Sequence, residues 1–128
     1  MPYRFLPHTG DVAVALDAPD DLGLRTAGIE ALRELLVGTS PVGALVERPI
    51  APKGRDDAER LVRFLEDALY LYDVEGFVPA RASPTGILGE PFDPARHAPA
   101  GEVKAVTYHQ AAVRRDDTGL HATIVFDV

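Results

Sequence analysis

Residues 103–128 read Val103-Lys104-Ala105-Val106-Thr107-Tyr108-His109-Gln110-Ala111-Ala112-Val113-Arg114-Arg115-Asp116-Asp117-Thr118-Gly119-Leu120-His121-Ala122-Thr123-Ile124-Val125-Phe126-Asp127-Val128. β-Branched and aromatic residues dominate both halves, and Asp116-Asp117-Thr118-Gly119 interrupts them with turn-forming types. The stretch therefore reads as two strands, 103–114 and 120–128, joined as an antiparallel hairpin. Alternation along the second arm sets Ala122, Ile124, Phe126 and Val128 on one face and Thr123, Val125 and Asp127 on the other. A chain that finishes in such a hairpin departs from the one-for-one strand and helix order of a doubly wound parallel sheet. The fold class is α+β: a compact domain with a mixed or antiparallel sheet packed against two main helices.

Working outward, Asp11-Val12-Ala13-Val14-Ala15-Leu16-Asp17 alternates strictly and predicts a half-buried strand. Asp20 then precedes Leu24, Ala27, Ala31 and Leu35 on one helical stripe, with Gly38 as a stop, which predicts a helix over 21–37. Leu61, Leu65, Ala68, Leu69 and Tyr72 make a second stripe over 57–73, opened by Asp56-x-x-Glu59 and closed by Gly76. Residues 42–52 lie among Pro41, Pro49 and Pro52, so a strand there is short or at an edge. The Pro- and Gly-rich stretch 77–101 is expected to be a loose hairpin followed by a loop, the most mobile part of the chain.

The 128 residues, 46% of them hydrophobic, suffice for one core, so a single domain over 1–128 is expected. With no cysteine there is no disulfide framework, thiol catalysis or cysteine-ligated metal. No apolar run reaches the length of a membrane span and no signal peptide opens the chain, which makes the cytoplasm the expected compartment and excludes a membrane partner. Twenty acidic against 13 basic residues give a formal charge of −7. Such a surface is repelled by a phosphate backbone, so no direct, stable nucleic-acid contact is expected, whereas a protein partner or a cation suits it. Phosphate-cradling glycine loops, a Gly-x-Ser-x-Gly elbow and a histidine-rich zinc pattern are all absent from the sequence.

The carboxylates invite closer reading. Asp11 opens its strand on the face opposite Val12 and Val14, Asp127 leaves the more apolar face of the last strand, and a chain ending at Val128 adds a terminal carboxylate one residue later. Spacing leaves two readings open: solvated carboxylates, or, if the two strands are neighbours, three anions converging on a hard divalent cation such as calcium, magnesium or manganese. His8 beside Asp11 reads either as a loop-holding hydrogen-bonding residue or as a base or ligand. Lys104, aligned by strand periodicity with Val106 and Tyr108, reads as an exposed sheet residue or as a cation placed for a partner's carboxylate or phosphate. His109 and His121 are expected at the surface or a sheet edge without a nearby partner of catalytic type, His97 in a loop without a role, and Glu66 and Asp67 on a solvated helix face. Asp17, Asp20 and Asp21 read first as helix capping and dipole complementarity, and otherwise as a weak cation contact.

His8-Thr9-Gly10-Asp11-Val12, Leu61-Val62-Arg63-Phe64-Leu65, Lys104-Ala105-Val106-Thr107-Tyr108-His109 and Ile124-Val125-Phe126-Asp127-Val128, in that order over nearly the whole chain, resemble the archease family. The resemblance implies a compact α+β domain likened to the Hsp33 chaperone. It implies a protein cofactor, not itself an enzyme, that promotes GTP-dependent guanylylation and multiple turnover of an RtcB-type RNA ligase in tRNA splicing and RNA repair. It also implies an acidic metal site at Asp11, Asp127 and Val128, usually associated with calcium, and a ligase-activating role for Lys104. The sequence departs from the family pattern at Gly10, where alanine is usual, and at His121, where tryptophan is common. Ala18-Pro19-Asp20-Asp21-Leu22-Gly23-Leu24 also replaces the usual entrance to the first helix, leaving Asp20 or Asp21 to supply a carboxylate expected there. The competing readings are a small metal-dependent phosphohydrolase with Asp11 and Asp127 on the metal and His8 as acid or base, and a chaperone-like binding protein.

Overall fold

The elements follow in the order β1 (Tyr3–Leu6), β2 (Val12–Ala18), α1 (Asp21–Val37), β3 (Val46–Pro49), α2 (Asp57–Glu75), β4 (Phe77–Ser83), β5 (Gly86–Pro91), β6 (Ala105–Asp116) and β7 (Gly119–Asp127) in the computed structural model, which describes residues 2–6 and 11–128. All five strand pairings among the described residues are antiparallel. They build two sheets rather than one, ordered β1-β2-β7-β6 and β3-β5-β4. Helix α1 packs on β2 and on β4, and α2 packs on β6 and on β4, so both helices touch both sheets. One apolar cluster accordingly runs from Val14 and Ile124 through Leu32 and Leu65 to Val78 and Ile87. Each such side chain contributes roughly 1.5–3 kcal/mol on burial. The α+β class expected from the terminal hairpin holds, and no helix among the described residues is long and apolar enough to cross a membrane.

Local chemistry sets the helix ends. The Asp20 carboxylate accepts the Gly23 N–H at 2.7 Å, and that of Asp56 accepts the Glu59 N–H at 2.8 Å, each satisfying a donor of a first turn. Helix α2 continues to Glu75, two residues beyond the expected end, and stops at Gly76, whose left-handed φ of 62° lets its N–H reach the Leu71 carbonyl. Helix α1 buries Leu24, Ala27, Ile29, Ala31, Leu32 and Leu36 over a broad sweep, as a helix between two sheets must.

Two expectations are corrected. Residues 77–91 form a tight, largely buried hairpin, not a loose one: β4 and β5 meet at a two-residue turn, Pro84-Thr85. Pro79 is accommodated because the ladder shifts register beside it, where a missing N–H costs least. The free edge of β4 is covered by α1, with Thr26 Oγ1 accepting the Ala82 N–H and Arg33 donating to the Ala80 carbonyl. Beyond β5 the segment 92–101 is anchored rather than loose, since Phe92 N–H reaches Gly76 O, Ala98 N–H reaches Ser40 Oγ and Ala100 N–H reaches Leu36 O. The second correction lies in β6. Its ladder with β7 breaks between Thr107 and Ala112, so Tyr108, His109, Gln110 and Ala111 oppose Ile124 alone, and Gln110 takes a φ of 57°.

Candidate functional site

β7 lies between β2 and β6, and this neighbourhood brings distant sequence to one end of the larger sheet. Val12 pairs with Phe126 as the last pair of that ladder, so Asp11, just before Val12, and Asp127, just after Phe126, adjoin the same end of the sheet. On the other side Ala105 pairs with Asp127, and Lys104 donates its N–H to the Asp127 carbonyl at 2.7 Å. Asp11 and Asp127 are half-buried, and Val128 is exposed. His8 lies outside the described residues.

Among the described residues no three His, Asp or Glu side chains group as a metal shell. The donors that the register sets at this end are two carboxylates, with the main-chain or terminal oxygens of Val128 beside them. This all-oxygen set fits a hard divalent cation by its chemistry and would not suit a soft one.

Lys104 does not share a face with Val106 as periodicity suggested: Val103 and Val106 are buried, whereas Lys104 and Tyr108 are exposed. Lys104 precedes the first ladder pair of β6 and Tyr108 sits in its bulge, so neither obeys strand alternation. The Lys104 side chain lines a groove of about 250 Å³ between α2 and the start of β6, with Glu66, Leu69, Tyr70, Asp73 and Val74. Glu66, expected on a solvated face, is exposed and accepts the Tyr108 hydroxyl at 3.4 Å, while burial pushes the carboxyl of its half-buried neighbour Asp67 up.

Two histidines depart from expectation. His121 has partners on three sides: Asp17 Oδ1 2.6 Å from Nδ1, and Asp116 Oδ1 at 3.0 Å and Thr118 Oγ1 at 2.8 Å from Nε2. The hydrogen bond with Asp17, then that with Asp116, holds the His121 imidazole above its ordinary value, and Asp17 is thus an ion-pair partner while Asp20 is the cap. The only local signal for this cluster is the turn-forming Asp116-x-Thr118, because Asp17 is 104 positions away. His97 is fully buried: Nδ1 accepts the Asp93 N–H at 2.9 Å, and Nε2 points toward Glu90 Oε2 at 3.5 Å. His109 is exposed, as expected.

The sequence profile of the Archease protein family matches residues 3–128. Protein archease of Methanopyrus kandleri is 32% identical over 142 aligned residues covering 100% of both chains, and that of Archaeoglobus fulgidus is 28% identical over 137 residues with the same coverage. In fold, the chain is similar to the solution structure of a Methanobacterium thermoautotrophicum protein, with a TM-score of 0.76 and 21% identity over 99% of both chains. It is also similar to the crystal structure of an archease, described as a possible chaperone, from Thermotoga maritima, with a TM-score of 0.66 and 21% identity over 96% of this chain and 94% of that one. With the profile spanning both halves of the sheet end built from Asp11, Lys104 and Asp127, this chain belongs to the archease family.

Proposed function

We propose that the chain is a protein cofactor, not itself a ligase, that partners an RtcB-type RNA ligase and promotes its GTP-dependent guanylylation and multiple turnover in tRNA splicing and RNA repair. Family membership supports the partnership. The observation that supports this reading is the position of β7 between β2 and β6, which brings the strand that Asp11 precedes beside the strand that carries Asp127, with the Lys104 N–H bonded to the Asp127 carbonyl at the same sheet end. Asp11, Asp127 and the free carboxylate of Val128, where that residue ends the chain, would hold a divalent cation, calcium by family resemblance and magnesium or manganese by the same oxygen chemistry. Such an ion supplies positive charge that lets an acidic end meet a nucleotide phosphate. Lys104 adds a cation from the segment that leads into β6 and offsets phosphate charge, and His8 is assigned to the partner contact from the sequence motif alone. A formal charge of −7 turns the rest of the molecule away from RNA and toward protein.

The test is ligase guanylylation by GTP and multiple-turnover RNA joining, using the ligase from the same source, with the wild-type chain and with Asp11→Ala and Asp127→Ala. Stimulation by the wild type and its loss in both variants is expected. Full stimulation by either variant would remove the acidic site from the mechanism, and no stimulation by folded, calcium-loaded wild type would overturn the cofactor reading.

A further inference from the structure

Three large apolar side chains left exposed, Tyr70, Val74 and Tyr108, gather on one side of the molecule. Tyr70 and Val74 stand one turn apart on α2 and share a face. Tyr108 is brought to the same rim by the β6 bulge and donates its hydroxyl to Glu66. Beneath them Leu69 and Val106 floor the groove that Lys104 borders. Single exposed apolar residues are ordinary, but a cluster over a preformed cleft marks a contact surface. The groove, of about 250 Å³, is rimmed by exposed apolar side chains, as suits a protein side chain docking from outside.

Charge narrows the occupant further. The lining holds two carboxylates, Glu66 and Asp73, against one ammonium, Lys104, and Glu102 lies near enough to Asp73 to act on it. The groove is also continuous with the sheet end, because Lys104 both borders it and is hydrogen-bonded through its main chain to Asp127. We propose that this groove receives a segment of the partner ligase in which an apolar side chain stands beside a lysine or arginine. The apolar side chain enters between Tyr70 and Val74, and the cation meets Glu66 and Asp73. A partner seated here reaches the acidic end at the same time, so one docking event positions both. The inference rests on the ligase partnership proposed above.

The experiment is calorimetric titration of the full chain into the RtcB-type ligase from the same source, at low and at moderate salt. The chains compared are wild type, Val74→Asp, Tyr70→Ala and the charge reversal Glu66→Lys with Asp73→Lys. A thermal melt of each variant serves as the folding control, and since these side chains are exposed or at the groove rim, melting close to wild type is expected. At least a tenfold loss of affinity is expected for Val74→Asp and for the charge reversal, on the scale of a central interface residue, with a smaller loss for Tyr70→Ala. Wild-type binding that is matched by every folded variant would overturn the groove while leaving the cofactor reading intact. Loss with Val74→Asp but none with the charge reversal would overturn the basic character of the occupant. Failure of the wild type both to bind and to stimulate the ligase would overturn the partnership and the groove with it.

Discussion

His121 stands directly across the β2–β7 ladder from Asp17, with its Nδ1 2.6 Å from the Asp17 carboxylate. Its other nitrogen reaches Asp116 and Thr118 in the β6–β7 turn, so one imidazole fastens that turn to β2. The clamp lies at the end of the sheet opposite Asp11 and Asp127. It therefore stabilises the three-strand arrangement without occupying the candidate site.

A pH dependence follows. The imidazole of His121 is held above its ordinary 6.5 by Asp17 and then Asp116, so the folded state binds the proton more tightly than the unfolded chain. That stabilisation is complete below the ordinary value and is lost as pH rises through the folded one. Asp116 behaves oppositely: hydrogen bonds from the Thr118 hydroxyl and N–H, and then from His121, hold its carboxyl far below the ordinary range, so its contribution is lost only in strong acid. Thermal melts between about pH 6 and about pH 9 should show the wild type losing stability and His121→Asn losing that slope. An identical slope in the variant would exclude the clamp as its origin.

Gly119 opens β7 at a φ of 126°, and a Cβ there would stand 2.5 Å from the Ala18 carbonyl. Both the backbone conformation and the contact disfavour a side chain, so Gly119→Ala should lower stability by about 2 kcal/mol in urea unfolding. A neutral result would mean that the turn can move away from β2.

Glu90 accepts hydrogen bonds from the Gly43 N–H and from Arg96, and lies beside the buried His97. The Gly43 hydrogen bond, against opposing burial, keeps its carboxyl below the ordinary 4.5, so this contribution is present above that value and is lost as pH falls through the folded one. Glu90→Ala leaves those donors without their acceptor and should cost about 2 kcal/mol, read by denaturant titration. It should also speed proteolysis within 92–101, because the anchored segment begins beside Glu90.

Where Val128 ends the chain, a C-terminal extension replaces its terminal carboxylate by an amide carbonyl, a neutral and weaker oxygen donor. Calcium affinity measured by titration should fall by about tenfold or more in the extended chain, with the melt unchanged, as expected when one charged ligand of a hard cation is removed. Equal affinity would remove Val128 from the site while leaving Asp11 and Asp127 as its donors.

Several features were legible in the sequence because they are local. The caps at Asp20 and Asp56 and the stop at Gly76 use atoms within a few residues of each other. The alternation of Val12, Val14 and Leu16 and of Ala122, Ile124 and Phe126 repeats with the pleat, and that periodicity identified the strand that Asp11 precedes and the strand that carries Asp127. The 77–91 hairpin was obscured because its prolines look like interruptions, and only the register shift beside Pro79 shows how the ladder absorbs one.

By itself the sequence determined both helices and the strands β2, β6 and β7, their apolar faces, and, through motif resemblance, the family, while β1 was not read from it. The tertiary structure alone decided that β2 takes the other side of β7 from its hairpin partner β6, that the β6 ladder breaks at Tyr108, and that Asp17 meets His121. The reason is range: hydrogen-bonding within a turn and the period of a strand act over a few residues. Strand order, bulges and ion pairs across a hundred positions are set by which packing of both sheets on both helices buries the common core.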